Sequence, residues 1–497
     1  MTMHVLSQPL HAQSHIHIYN VQASNHWIFR TSFSFFSLCK ETRRRRRRRE
    51  EGELMEKKEE QEAIDNRGKI SIQISSSHAE TAMVTTKRSN SNLAKLIFSG
   101  HLLAVAIFIT FLSFRGFLEA PGFRPTHWCI PLAASIAVSA FTAVSLLLLS
   151  LHHPSIALKT SLWLSPLFTT FTGILLLATG TGIGLIFAAF TLTGALSLSL
   201  YSCSIATHLK HTNQILTISI TTVPPSIKIT KFILAGLFTG LIYTWFWSLG
   251  AGGISAKGSP FAGIYILVLF LSLAWTMNVI RNTMHVAISR IAYMQLMHGL
   301  DVDVKQAFTD AATRSLSTIC LGSAMVPAIG TFRGMARAMA AIAGGSDEFL
   351  FSCTACYINL ANLLVPSGNL WACVHVGIHG KGFVQASRDI WEMFIKQKMV
   401  PVIDQELTGT FCFLSGIAGG ALSALIGGSL MLAVEKKYAT EGIVCAFFVG
   451  YFIVRLGTAW AHACVLAYHV AFAENPVNPR LGTAMSECLK ELETSPR

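Results

Sequence analysis

From residue 93 onward the chain alternates long apolar runs with short polar connections. A helix needs about 20 apolar residues to cross a hydrocarbon core of about 30 Å. Ten stretches reach or approach that length, near 93–114, 128–151, 161–179, 183–206, 232–250, 260–281, 315–335, 350–376, 408–433 and 442–470. None shows the strict alternation of a β-barrel strand, so each is expected to satisfy its own backbone groups as a helix. The pattern predicts an all-α polytopic membrane protein of about ten transmembrane helices. It also sets the domain limits: a disordered polar tail over 1–90, a transmembrane helical domain over 91–475, and a short cytoplasmic C-terminal tail over 476–497.

Lysine and arginine are expected to be denser in cytoplasmic loops. With the N-terminus inside, the inner loops carry Lys159, Lys210, Lys228 and Lys231, then Arg281, Arg290, Lys305 and Arg314, then Lys381, Arg388, Lys396 and Lys398. The outer loops hold fewer, among them Arg115, Arg124 and Lys257. Both termini are therefore expected in the cytoplasm. Two inner-loop stretches, VDVKQAFTDAATRSL (302–316) and GFVQASRDIWEMFIKQKM (382–399), place polar and apolar residues on opposite faces of a helix. Such helices fit a membrane surface or a partner protein.

Composition agrees with the pattern. Only 13% of residues are charged, against about 25% in a soluble domain. The formal charge of +13 is dominated by seven consecutive arginines, Arg43–Arg49. That run reads as a targeting or anionic-lipid patch, as a solvated tail, or as a translated purine-rich leader. The last reading makes Met55 an alternative start, with 1–54 outside the native protein. Because the basic run is local, nucleic acid is not expected as a partner. Most of the eleven cysteines sit inside apolar runs, as small hydrophobes do. Cys353 and Cys356 form a C-x-x-C, but the second Cys/His pair of a zinc site is missing, so no metal is expected. GIHGKG (377–382) ends in Gly382 where a phosphate loop needs Ser or Thr. With no H-E-x-x-H and no legible Ser-His-Asp set, neither an enzyme nor a cofactor is expected.

The most informative stretch is 274–294, AWTMNVIRNTMHVAISRIAYM. At about 100° per residue, Trp275, Asn278, Asn282, His285, Ser289 and Tyr293 fall within an arc of about 80°, with Arg281 at its margin and Arg290 off it. Polar groups on a membrane helix are costly unless they face partners or water. This stripe is expected to face the bundle interior, either as the lining of a site or as a hydrogen-bonded seam. Arg290 is expected to snorkel toward headgroups at the helix end. The fifth run ends in YTWFWSLG. Its Tyr243, Trp245 and Trp247 read as an interface belt or as ring contacts for a quaternary ammonium ion, which has no N–H to donate. His462 and His469, seven apart on the last run, share a face. Together with His285, His462 is a candidate for proton coupling. Buried neutral histidines paired to carbonyls are the plainer alternative.

Four segments, WTMNVIRNTMHVAIS, ATRSLSTICLGSAMVPAIGTFR, VHVGIHGKGFVQASRDIWEMF and VIDQELTGTFCFLSGIAGG, resemble signature segments of the choline transporter-like family in order and spacing. The resemblance covers roughly 230–475, and IHGKGFVQASRDIWEMF is its most specific part. It implies ten membrane helices, cytosolic termini, and movement of choline or a related small organic cation across the plasma membrane, with Golgi or post-Golgi membranes as the alternative. Facilitative and proton-coupled transport are both compatible with it. The chain departs from the family pattern at Asn278, where an acidic residue is frequent, at Arg290 with the following AYMQLMHG, and at LGSAM (321–325). These departures bear on the substrate more than on the fold. The expected cavity lining is Trp275, Asn278, Asn282 and His285, with Tyr243, Trp245 and Trp247 as cation-π contacts. A membrane organiser acting through the two amphipathic loop helices, and a carrier of a different solute attracted by the interior arginines, are the competing readings.

Overall fold

The computed structural model describes residues 76–119, 123–206, 209–257, 261–343, 359–360 and 363–494. The expectations for 1–54, for most of the polar tail, and for Cys353 and Cys356 lie outside the described residues. The chain divides into Met1–Thr86 with Ser495–Arg497, of which only the start of helix α1 is described, and Lys87–Thr494.

Every described element is helical. Helices α1 (Ser76–Glu119), α2 (Pro125–His152), α3 (Pro154–Ala178), α4 (Gly182–Ile205) and α5 (Leu209–Thr222) come first. They are followed by α6 (Ile227–Lys257), α7 (Ala262–His298), α8 (Val304–Thr313) and α9 (Leu316–Ala343). The C-terminal third supplies α10 (Ala372–His379), α11 (Phe383–Lys396), α12 (Val400–Gln405), α13 (Thr408–Val434), α14 (Ala439–Gly457), α15 (Ala459–Glu474) and α16 (Ala484–Thr494). Local chemistry sets the ends. Pro125 and Pro154 open α2 and α3, where the missing N–H costs nothing. The Thr181 hydroxyl caps α4 by accepting from the Gly184 N–H. Gly299 at φ 66 and Gly380 at φ 62 close α7 and α10 in the left-handed region.

The chain is a polytopic membrane protein. Among the described residues, eight helices are long and apolar enough to cross a membrane, and nine if α8 and the start of α9, bent by 71°, form one broken span. The expected stretch at 350–376 falls largely outside the described residues. The last expected stretch, 442–470, is two helices broken at Thr458. Of these, α15 is buried on every side from Ala459 to Ala473, as a helix in the middle of a bundle must be.

Two packing centres organise the bundle. One is α13, set against α2, α3 and α14. Its sequence GGALSALIGG is used for close approach: a Cβ on Gly420 would lie 2.6 Å from the Phe447 carbonyl oxygen, and one on Gly427 would lie 2.8 Å from that of Pro131. The other centre is α7, which packs on α6, α8, α9, α10, α14 and α15. Gly236 and Gly240 on α6 admit Met284 and Met277 of α7. The amphipathic loop stretches fold as α8 and α11, and their apolar faces are covered by the chain itself. Val304, Ala307, Phe308 and Ala311 of α8 are buried, with Phe308 stacked on Phe232 at 4.7 Å. Phe383, Ala386, Ile390 and Phe394 of α11 are buried likewise. Arg290 also differs from expectation. Its Nη1 donates to Asp310 Oδ2 of α8 at 3.0 Å rather than reaching for headgroups.

Close helix approach generates a stability prediction. Gly420→Ala is expected to destabilise the protein by about 1–3 kcal/mol, the usual cost of overpacking. Gly100→Ala on α1, where a Cβ would meet nothing within 4 Å, is expected to be neutral or to stabilise by up to about 1 kcal/mol through helix propensity. Thermal unfolding of the detergent-purified variants checks both, and identical melting would refute the packing role of Gly420.

Candidate functional site

The stripe predicted on 274–294 faces inward. Asn278, Asn282, His285, Ser289 and Tyr293 are all buried, His285 and Ser289 completely, and Trp275 is half-buried. Trp275, Asn278 and Asn282 find their partners on α9 and on α7 itself. Trp275 Nε1 donates to the Cys320 carbonyl of α9 at 3.2 Å, and Asn282 Nδ2 donates to Ser323 Oγ of the same helix at 2.9 Å. Asn278 Nδ2 turns back to the Ala274 carbonyl at 2.8 Å.

At the Trp275 end, rings from α1 and α7 converge. The Trp275 ring lies 5.3 Å from Phe98, edge-on, and 4.8 Å from His101. His101 Nε2 is 3.1 Å from Ser272 Oγ, which is 2.8 Å from the Tyr243 hydroxyl. Tyr243 is thus linked to Trp275 through Ser272 and His101. The neighbouring tryptophans go elsewhere. Trp247 is fully buried, donates to the Leu269 carbonyl at 2.8 Å, and its ring lies 5.2 Å from Phe270. Trp245 is 38% exposed on the bundle's outer surface. The aromatic set that assembles is Phe98, His101, Tyr243 and Trp275, not a cage of Tyr243, Trp245 and Trp247. Phe98 and His101 lie on α1, too far away in sequence for spacing to connect them with α7.

Midway along the stripe the chemistry becomes cationic. Arg281, placed at the stripe's margin by angle alone, is only 5% exposed and donates from Nη2 to His462 Nδ1 of α15 at 3.0 Å. The His462 ring meets His285 edge-on at 5.1 Å. Neither ring nitrogen of His285 has a protein partner, nor does Arg281 Nε. Arg455 of α14 reaches the Tyr451 hydroxyl through Nη1 at 2.7 Å and lies over that ring at 5.3 Å, while its Nε is also unpartnered. Among the described residues, no carboxylate is within ion-pair distance of Arg281 or Arg455. Arg455 was legible in principle, as the one charge within YFIVRLGTAW. His469 does not join His462. It accepts from Trp371 Nε1 at 3.3 Å, so neither histidine is held by a carbonyl.

At the far end, the Tyr293 hydroxyl donates to Glu474 Oε2, and His375 Nε2 lies 3.1 Å from Glu474 Oε1. The stripe therefore joins three chemically different zones: rings at Trp275, buried cations at Arg281, and a carboxylate–imidazole pair below Tyr293.

Parts of the chain are similar in sequence to known proteins. The chain is 21% identical over 217 residues to a CTL-like protein of Dictyostelium discoideum, covering 42% of this chain and 39% of that protein. It is 24% identical over 240 residues to protein PNS1 of Mycosarcoma maydis, covering 46% and 45% of the two chains. To PNS1 of Gibberella zeae it is 23% identical over 225 residues, 42% of each. The matched part spans less than half the length of these curated relatives. The profile of the family described as plasma-membrane choline transporter matches residues 136–477, well over half of the sequence, and this chain belongs to that family.

Proposed function

We propose that the chain is a carrier that moves choline or a related small organic cation across the plasma membrane, facilitatively or with proton coupling, with both termini in the cytoplasm. Family membership supports transport as the activity. The observation that carries the reading is the buried polar stripe of α7, with an imidazole, His285, that no protein group satisfies. A seam serving packing alone would pair its buried nitrogens, because leaving one unpaired costs about 1–3 kcal/mol. A solute path explains polar groups held inward but left open. Trp275, with Phe98 and His101 against it, offers ring faces to a quaternary ammonium ion. Asn278, Asn282 and His285 continue the path, and His285 and His462 are the proton-coupling candidates.

A second reading has its own observation. Arg281 is buried and Arg455 half-buried, and among the described residues neither has a carboxylate partner, which favours a solute carrying an anionic group beside or instead of the ammonium. The organiser reading has less support, since the apolar faces of α8 and α11 are already covered.

Uptake of labelled choline into proteoliposomes is the test. Saturable uptake is expected from the wild type. Trp275→Ala and Asn282→Ala are each expected to lower it at least about tenfold, equivalent to about 1.4 kcal/mol. Uptake unchanged in both well-folded variants would remove the stripe from the path. The arginines are tested separately. His462→Leu would leave Nη2 of Arg281 unpaired and is expected to cost about 1.5–3 kcal/mol of stability, as for hydrogen bonds to charged groups. His462→Asn is expected to recover part of it, read by thermal unfolding. If competition by choline is absent while zwitterionic or anionic choline derivatives compete, the second reading stands.

A further inference from the structure

The carboxylate–imidazole pair below Tyr293 has a third member. His379, four residues after His375, ends helix α10, and its ring centroid lies 5.0 Å from that of His375. Residues at i and i+4 share one helix face, so α10 presents both imidazoles to the last residue of α15. One ligand atom from each of His375, His379 and Glu474 falls within 4.8 Å of the others. We propose that these three residues bind a borderline divalent cation, zinc in first place.

Chemistry and geometry agree on that class of ion. Two imidazole nitrogens and a carboxylate oxygen suit zinc and its neighbours, whereas magnesium and calcium take oxygen ligands. A tetrahedral zinc with bonds of ~2.0–2.1 Å separates its ligand atoms by ~3.3 Å. His375 Nε2 and Glu474 Oε1 already stand 3.1 Å apart. The remaining ligand, His379, has only a short distance to close and is the exposed one of the three. His375 is buried and Glu474 partly so, so the site has a buried side and an open side at His379. The Tyr293 hydroxyl holds the other carboxylate oxygen, the kind of outer contact that orients a metal-ligating carboxylate. His375 Nδ1 has no partner. Metal-bound histidines usually donate from that second nitrogen, so the expected site is weak and exchangeable rather than structural. A bound ion would cross-link α10 to α15 and, through Tyr293, to the end of the α7 stripe.

The expectation of no metal rests on cysteine spacing and the absence of H-E-x-x-H, patterns that do not cover two histidines four apart with a distant carboxylate. The third ligand is 95 residues beyond His379 in the chain.

The test is zinc chloride titrated calorimetrically into the full chain, purified in detergent with a tag free of histidine. One equivalent is expected at micromolar affinity, with a zinc-dependent rise in melting temperature and no response to magnesium or calcium. His379→Ala, at an exposed position, and Glu474→Gln, which keeps the side chain's size but removes its charge and one acceptor oxygen, are each expected to weaken that equivalent at least about 100-fold. His152→Ala, an exposed histidine elsewhere, is expected to leave it unchanged. The N-terminal region carries His4, His11, His15, His17 and His26, so zinc bound there would survive in His379→Ala. Survival of the full signal in that variant, or no equivalent in the wild type, overturns the site. Neither result depends on which solute the protein carries.

Discussion

A guanidinium on a membrane helix has to be given an interior partner, and Arg281 shows how much of this bundle follows from that. Lipid cannot solvate it, and a charge facing hydrocarbon costs several kcal/mol. The side chain is therefore turned inward, and with it the whole polar face of α7. The partner is His462, which must be brought to the same depth. That histidine lies on α15, which is buried on every side from Ala459 to Ala473. The inward face of α7 and the central position of α15 therefore meet one electrostatic requirement together.

The other constraint is steric. Membrane helices gain no hydrophobic driving force from leaving lipid for one another, so they associate through close contact and interhelical hydrogen bonds. The glycines of α13 let α14 and α2 approach until backbone atoms touch where a methyl group would sit. Short polar side chains finish the contact: Ser139 Oγ lies 2.7 Å from Ser423 Oγ, and Ser161 Oγ lies 2.8 Å from Ser415 Oγ. This half of the bundle pairs many of its polar groups with itself, although Ser150 Oγ, Ser165 Oγ and Arg455 Nε keep no partner. On α7 the open atoms are both ring nitrogens of His285 and Nε of Arg281. What sets α7 apart is that its open atoms are ionisable nitrogens gathered on one helix.

What could be read beforehand was what depends on one helix at a time. Length and apolar content located the spans, and a period of 3.6 residues placed Asn278, Asn282 and His285 on the inward face. What could not be read depends on pairs of helices. The angular position of Arg281 gave only its distance from the stripe's middle, and nothing local tells that a histidine 181 residues later meets it. Trp245 and Trp247 look alike in sequence, yet two residues of helix turn one outward and bury the other. The sequence shows α8 and α11 to be apolar on one face, and the occupant of that face is the chain's own bundle. Arg290 likewise found Asp310 because the α8 face that packs on α7 carries an acid at its edge. Amphipathicity identifies a face to be covered and is silent on what covers it.

Arg281, buried, and Arg455, half-buried, would also constrain the passage of the cationic solute proposed above. A unit charge about 4 Å from a guanidinium is opposed by about 1 kcal/mol in water and about 4 kcal/mol at an effective dielectric of 20. Passing two such groups unaided would slow a cation by orders of magnitude. The protein holds no carboxylate there to offset this among its described residues. Ring faces at Trp275 would attract the proposed ammonium ion, but they lie six residues earlier on α7, about 9 Å up the helix. Movement past the cluster therefore requires water in the path to screen the charges, a solute that brings its own negative group, or a displacement of Arg281. The hydrogen bond from Arg281 to His462 is the contact that each of these routes must loosen. That makes the α7–α15 contact, more than the aromatic end, the step on which the rate of a carrier built this way depends.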